Sequence, residues 1–221
     1  MLSVTEENYL KSIYKIAETD GIPVSTNSVA ARMQTTAASV TDMIKRLSEK
    51  DLLDYEKYRG VQLTKEGNRL ATQLIRKHRL WEVFLTEQLG FRWDEVHDIA
   101  EELEHIQSTQ LIDRLDRFLG HPRFDPHGDP IPDANGEWEH RQQIPLSALQ
   151  PGQTGIVTGV NDHSPAFLQY LQQLGLTLGA RVALQEIISY DQSLRVVIGS
   201  RPAQNLSEKV ARNLNIHLSE K

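Results

Sequence analysis

The stretch EVHDIAEELEHIQ, residues 95 to 107, sets His97 and His105 among Glu101, Glu102 and Glu104, a density of nitrogen and oxygen ligands that few solvent-facing helices carry. On a helix Glu101, Glu104 and His105 fall at i, i+3 and i+4, with His97 one turn earlier, so four ligand-type side chains share roughly one face. Upstream, KHRLWE repeats the i, i+4 spacing with His78 and Glu82. Imidazole and carboxylate together suit a borderline-to-hard divalent ion such as Mn²⁺, Fe²⁺ or Zn²⁺. Either helix alone reads equally well as a solvated acidic face. The interleaved Val96, Ala100 and Leu103 and the duplication on a second helix bring metal binding level with that plainer reading. A di-iron carboxylate enzyme also draws Glu-x-x-His motifs from two helices. Glu102 to His105 supplies one such motif, but the other, Glu137 to His140, falls in a Pro/Gly-rich stretch, so the enzyme reading lacks its second helix.

Composition narrows the chemistry further. The chain has 221 residues and no cysteine, which excludes disulfides, thiolate zinc sites, iron–sulfur clusters and cysteine nucleophiles. Nucleophile elbows, phosphate-cradling glycine loops and zincin motifs are absent as well. The opening MLSVTEENYL lacks the pattern of a signal peptide, and no apolar run is long enough to span a bilayer, so a cytoplasmic, non-membrane protein is expected. The net charge of −6 argues at first against nucleic acid. Its distribution reverses that: residues 1 to 75 balance ten basic against ten acidic side chains, while residues 76 to 140 hold seven and fifteen. The N-terminal region is thereby free to face phosphate.

The elements that must position these residues follow from periodicity. Residues 5 to 17 put Tyr9, Leu10, Ile13 and Tyr14 on one helical stripe, with Thr5 as candidate N-cap. STNSVAARM and TTAASVTDMIKRLSEKDLL follow as two more helices, the order of a helix-turn-helix. DLLDYEKYRGVQLT then alternates around the turn KYRG and predicts a hairpin, the wing of a winged helix. Helices are predicted over 64–89, 93–106 and 108–119, and the apolar stripe of residues 93 to 119 exceeds what a monomer needs to cover, which predicts a homodimer with its interface there. From Gly120 to Gly152 the density of Pro, Gly, Asp and Asn predicts a linker, in which His121, His127 and His140 read as surface residues. TGIVTGV, ARVALQEIISY and LRVVIGS are strand-like and predict a small β-barrel. The fold class expected is mainly α with small β, and the domains are residues 1–74, 75–140 and 141–221.

This combination resembles the DtxR/MntR family of metal-dependent repressors across essentially the whole chain. ENYLKSIYKI, ASVTDMIKRL, YEKYRGVQLT, RKHRLWEVFL, VHDIAEELEH and FDPHGDPIP carry the likeness. The resemblance implies one metal site from Asn8, Glu101, Glu104 and His105, and a companion site from His78, Glu82 and His97. It further implies a C-terminal SH3-like (FeoA-like) domain that reaches over with a ligand near Asn161, Asp162 and His163, of which Asp162 is taken forward; NDHSP reads equally well as a turn. Iron-responsive members have Met in the first helix and Cys at the place of Glu101, whereas manganese-responsive ones have Asp and Glu. Glu101 is the manganese-like choice, Asn8 matches neither pattern, and Lys11 stands where some manganese regulators have a carboxylate. Mn(II) is expected first and Fe(II) second, with operator DNA as partner, no catalysis and no small-molecule substrate.

In a helix-turn-helix the second helix enters the major groove with its first residues at base edges. Here these are Thr36, Ala38, Ser39, Thr41 and Asp42, with Lys45 nearer the backbone and Lys57, Tyr58 and Arg59 at the wing tip, beside Arg46 or Lys50, as phosphate contacts. Without metal, repulsion among Glu82, Glu101 and Glu104 is expected to leave the first helix loosely held.

Overall fold

The computed structural model describes residues 2–56, 59–139 and 141–219. These fall into two compact units, one of Met1–Arg79, Glu101–Asp113 and Pro132–Trp138, the other of Leu80–Ala100, Arg114–Ile131 and Glu139–Lys221.

The first unit opens with α1 (Val4–Asp20). Ser3, not Thr5, caps it: the Ser3 hydroxyl accepts from the Glu6 N–H at 3.3 Å, and Glu6 accepts from the Ser3 N–H at 2.9 Å. That reciprocity needs a carboxylate three residues after the cap, which Glu6 supplies to Ser3. Then come α2 (Thr26–Arg32), capped by Ser25, and α3 (Ala37–Ser48), capped by Thr36. Leu10, Ile13, Val29, Val40, Ile44 and Leu47 point inward from the three helices and form one buried core with Val61 of the wing. The wing is β1 (Leu53–Glu56) paired antiparallel with β2 (Gly60–Leu63). It is tied to the helices by a reciprocal pair, Val24 N–H to Val61 O at 2.8 Å and Val61 N–H to Val24 O at 2.9 Å. Gly60 permits this approach: its φ is +110°, and a Cβ there would stand 2.6 Å from the Val24 carbonyl.

The long helix α4 (Lys65–Glu87) runs from the first unit into the second. The next two helices, α5 (Val96–Leu103) and α6 (Thr109–Phe118), are shorter than their apolar patterns predict. Trp93 is the reason at the near end of α5. It precedes the helix, where Glu95 N–H bonds Arg92 O, and its ring joins the core of the second unit.

In the second unit the strands are β3 (Ile144–Pro145), β4 (Thr154–Val160), β5 (Arg181–Ile187), β6 (Leu194–Ile198), β7 (Gln204–Leu206) and β8 (Leu214–Leu218). They form one antiparallel sheet in the order β3-β8-β4-β5-β6-β7, with bulges after Val157 and Leu184. The expected closed β-barrel is therefore corrected to an open sheet, since β3 and β7 end it without pairing to each other. Closure needs edge strands long enough to hold a shared stagger. Here β3 has two residues, one of them Pro145 with no N–H to donate, and β7 has three. Helices seal the core instead: Leu168 and Leu171 of α7 (Pro165–Leu174), Ala211 of α8 (Glu208–Arg212), and Leu146 and Leu149 at a 3₁₀ turn pack on Val157, Val182, Val196 and Ile216.

Part of the expected linker, 120–152, is also built structure. Phe124 and Pro130 bridge as a short antiparallel pair, and Asp125, His127 and Ile131 are buried.

Candidate metal centre

The second unit gathers ligand-type side chains around Glu82, which α4 carries into the interior at 2% exposure. Asp125 and His127 come from the Phe124–Pro130 loop, and ligand atoms of Glu82, Asp125 and His127 all lie within 4.8 Å of one another. Local hydrogen bonds hold the loop in shape: Asp125 Oδ1 accepts from the N–H groups of His127 at 2.8 Å and Asp129 at 3.0 Å. Gly128 seats the loop on β4. Its φ is +90°, and a Cβ there would lie 2.0 Å from the Thr158 carbonyl.

The His127 ring is stacked on Trp93 and on His163, with centroids 6.2 and 4.7 Å away. Its Nε2–H donates to the Trp93 carbonyl at 2.8 Å, which leaves Nδ1 facing Glu82 Oε2 at 3.6 Å, beyond hydrogen-bond reach. A hydrogen bond from one ring nitrogen to a backbone carbonyl fixes the ring and orients the other nitrogen for ligation. Burial pushes the His127 imidazolium down, but the Glu82 carboxylate outweighs it, with help from Asp125 and the Trp93 carbonyl, so its pKa is raised to about 9. Burial holds His163 below its ordinary value. His97 on α5 reaches the same carboxylate, with Nδ1 3.5 Å from Glu82 Oε1. Asp162 caps the turn before α7, accepting from the Ser164 N–H at 2.9 Å; burial pushes its carboxyl up, but that bond and the Lys209 and His163 charges outweigh it and hold the pKa below the ordinary value.

His127 is thus no surface residue, and neither it nor Asp125 stands in the site expected from the sequence. The motif DPHG was the available signal, but Pro/Gly-rich composition conceals burial that only tertiary packing creates.

In the first unit α1, α4 and the end of α5 bring Glu7, Lys11, His78, Glu101, Glu104 and His105 together. Lys11 Nζ lies 2.6 Å from both Glu101 Oε1 and Glu104 Oε2. His78 Nδ1 lies 2.6 Å from that same Glu104 oxygen and 3.4 Å from Nζ. His105 Nδ1 meets Glu7 Oε2 at 2.6 Å, and its Nε2 is 3.8 Å from Glu104 Oε1. Asn8 Oδ1 and Glu104 Oε1 are buried and accept no hydrogen bond. The expected repulsion between Glu101 and Glu104 is therefore already met by Lys11, and α1 is held to α5 by side chains alone.

The fit to a divalent ion differs between the two clusters. Around Glu82 the donors are two carboxylates and an imidazole nitrogen without a hydrogen-bond partner, which suits Mn²⁺ or Fe²⁺. In the first unit the unbonded acceptors Asn8 Oδ1 and Glu104 Oε1 suit an ion, while the face of Glu104 toward His78 carries an ammonium.

The residues expected at a DNA groove are open to solvent where they are described. Thr36, Ala38, Ser39, Asp42, Lys45 and Arg59 are exposed and Thr41 is half-buried, whereas Lys57 and Tyr58 lie outside the described residues, as does His140. Thr41 turns its hydroxyl back to the Ala37 carbonyl at 2.8 Å. No helix among the described residues is long and apolar enough to cross a membrane.

Three family descriptions match successive stretches: an iron-dependent repressor N-terminal DNA-binding domain at residues 1–61, an iron-dependent repressor metal-binding and dimerisation domain at 64–133, and a FeoA domain at 144–218. Among curated relatives the diphtheria toxin repressor of Corynebacterium jeikeium is 37% identical over 128 residues, 58% of this chain and 53% of its own length. The iron-dependent repressor IdeR of Mycobacterium bovis is 35% identical over the same span, 55% of its length, so the chain matches about half the length of these relatives. A solved manganese-dependent transcriptional repressor in complex with manganese is 36% identical, with TM-score 0.84, covering 97% of this chain and 100% of its own. The manganese regulator SloR is 32% identical with TM-score 0.73, covering 97% and 98%.

Proposed function

The chain belongs to the DtxR/IdeR/MntR family of metal-dependent transcriptional repressors, and from that premise we propose that it is a divalent-metal-activated, DNA-binding repressor of metal-uptake genes, working in the cytoplasm as a homodimer. The observation that carries this reading is the buried Glu82–Asp125–His127 cluster in a chain whose α3 presents its N-terminal residues to solvent. Every matched relative named above is a repressor or regulator; none is an enzyme.

Glu82, Asp125 and His127, with His97 beside them, would hold one ion, and Asp162 is a further candidate ligand. Asn8, Glu104 and His105 offer the donors of another position in the first unit. A bound divalent cation supplies positive charge that draws several carboxylates and imidazoles into one geometry. The protein's own part is to fix that geometry: Trp93 holds the His127 tautomer, and the Asp125 turn and Gly128 hold the loop. Mn(II) is favoured and Fe(II) is the second candidate, supported by a donor set of oxygen and nitrogen without sulfur and by the manganese named in the complex at 36% identity.

Toward DNA, Thr36, Ala38, Ser39, Thr41 and Asp42 address base edges, and Lys45, Lys57, Tyr58 and Arg59 address phosphates. Short hydroxyl and methyl side chains read bases weakly, so sequence choice rests partly on DNA shape. The division into residues 1–74 for DNA, 75–140 for metal and dimerisation and 141–221 for the FeoA-like part is the working assignment. Phe118 on α6, 66% exposed, supports a dimer surface on that helix.

Fluorescence anisotropy on the protein's own upstream DNA, at fixed salt because phosphate contacts dominate affinity, tests the reading. Mn²⁺ or anaerobic Fe²⁺ is expected to tighten specific binding at least tenfold over chelator, about 1.4 kcal/mol of coupling. Equal affinity in both conditions refutes it.

A further inference from the structure

The side chain at the middle of the first unit's acidic cluster is a lysine. Lys11 is 5% exposed, and its ammonium makes 2.6 Å contacts with Glu101 Oε1 and Glu104 Oε2, two carboxylates on successive turns of one chain segment. Glu104 is wholly buried, and a buried carboxylate is retained only where a partner charge and hydrogen bonds compensate it. Lys11 does this, and His78 completes it. The 2.6 Å approach of His78 Nδ1 to Glu104 Oε2 requires a proton between them, so Nδ1 acts there as a donor. The Nδ1 lone pair is then not offered to a metal, whereas Nε2 takes no part in this contact. One point is thus surrounded by two carboxylate oxygens and a ring nitrogen, all three within 3.4 Å of a positively charged centre.

We propose that the Lys11 ammonium is a resident cation that fills the face of this cluster formed by Glu101 Oε1, Glu104 Oε2 and His78 Nδ1, so that these side chains join α1 to α5 without a metal ion and those three atoms are withheld from divalent metal. An ion placed on the same oxygens would meet the ammonium at contact distance, and like charges at that range repel strongly in a site with little water. What the cluster leaves open is Glu104 Oε1, which accepts no hydrogen bond and has His105 Nε2 3.8 Å away; Asn8 Oδ1 on α1 is likewise buried without a hydrogen bond. The device lowers the metal requirement for holding α1 in place, since Lys11 to Glu101, Lys11 to Glu104 and His105 to Glu7 already form that link. This inference deepens the metal-regulator reading, yet it is tested by ion counting and does not depend on DNA binding.

The test is Mn²⁺ stoichiometry by equilibrium dialysis with elemental analysis, on the unsubstituted chain, Lys11→Met, Lys11→Gln, His78→Ala and Lys11→Met/His78→Ala. Removing the amine is expected to add one bound Mn²⁺ per chain, and adding His78→Ala to that background is expected to remove it again. His78→Ala alone is expected to leave the ion count of the unsubstituted chain unchanged, a measurement that does not require a Lys11 variant to fold. An unchanged count in both Lys11 variants, or loss of an ion in His78→Ala, overturns the proposal. If the unsubstituted chain binds no Mn²⁺ while Lys11→Met binds one, the resident cation stands and the metal-regulator reading falls.

Discussion

Proton competition at His127 gives the sharpest test of the second-unit cluster. With its pKa raised to about 9, His127 is an imidazolium at pH 7, and Nδ1 must shed its proton before it can ligate. Two pH units separate pH 7 from that value, and each is worth about 1.4 kcal/mol. The penalty at pH 7 is therefore roughly 3 kcal/mol, near a hundredfold in Kd, and it falls away as pH approaches 9. Calorimetric Mn²⁺ titrations under argon are expected to show Kd decreasing close to tenfold per unit from pH 6.5 to 8.5. Buffers of different ionisation enthalpy should report about one proton released per ion. His127→Gln should bind more weakly and lose most of the slope. The metal-free protein has the opposite dependence: a folded pKa above the ordinary 6.5 contributes stability that is full below pH 6.5 and lost as pH rises through 9. For one buried group shifted this far the contribution is about 3 kcal/mol, read as a falling urea midpoint in chelator. A Kd that does not move between pH 6.5 and 8.5 would refute the assignment of His127 as a ligand.

Three further substitutions separate the loop from the interface. Gly128→Ala places a Cβ 2.0 Å from the Thr158 carbonyl at φ +90°, and is expected to cost about 2–4 kcal/mol of stability and to weaken Mn²⁺ binding; Gly90→Ala, at φ +72° with open space around it, should cost only about 1 kcal/mol. Equal urea midpoints for the two would sink the argument that Gly128 seats the loop. Phe118→Glu, on a side chain 66% exposed, should change subunit stability by under about 0.5 kcal/mol yet shift sedimentation toward monomer, and an unchanged dimer would place the interface elsewhere.

The sequence determined the helix-turn-helix, the wing and the long α4, because their apolar residues recur at helical or alternating spacing and the short polar caps Ser25 and Thr36 mark where α2 and α3 start. It also determined which helices carry His78, Glu82, His97 and Glu101, since i, i+3 and i+4 neighbours share a face whatever else the chain does, whereas Glu104 and His105 fall in the turn just past α5. Tertiary structure decided the rest. Which cation sits between Glu101 and Glu104 depends on Lys11 arriving from 90 residues away in sequence, a distance no local pattern spans. Burial of Asp125 and His127 depends on a Pro/Gly-rich loop closing against β4 and Trp93, where composition alone reads as exposed linker. The open sheet follows from the shortness of β3 and β7, because strand propensity indicates which residues extend but closure is fixed by how far the edge strands can pair.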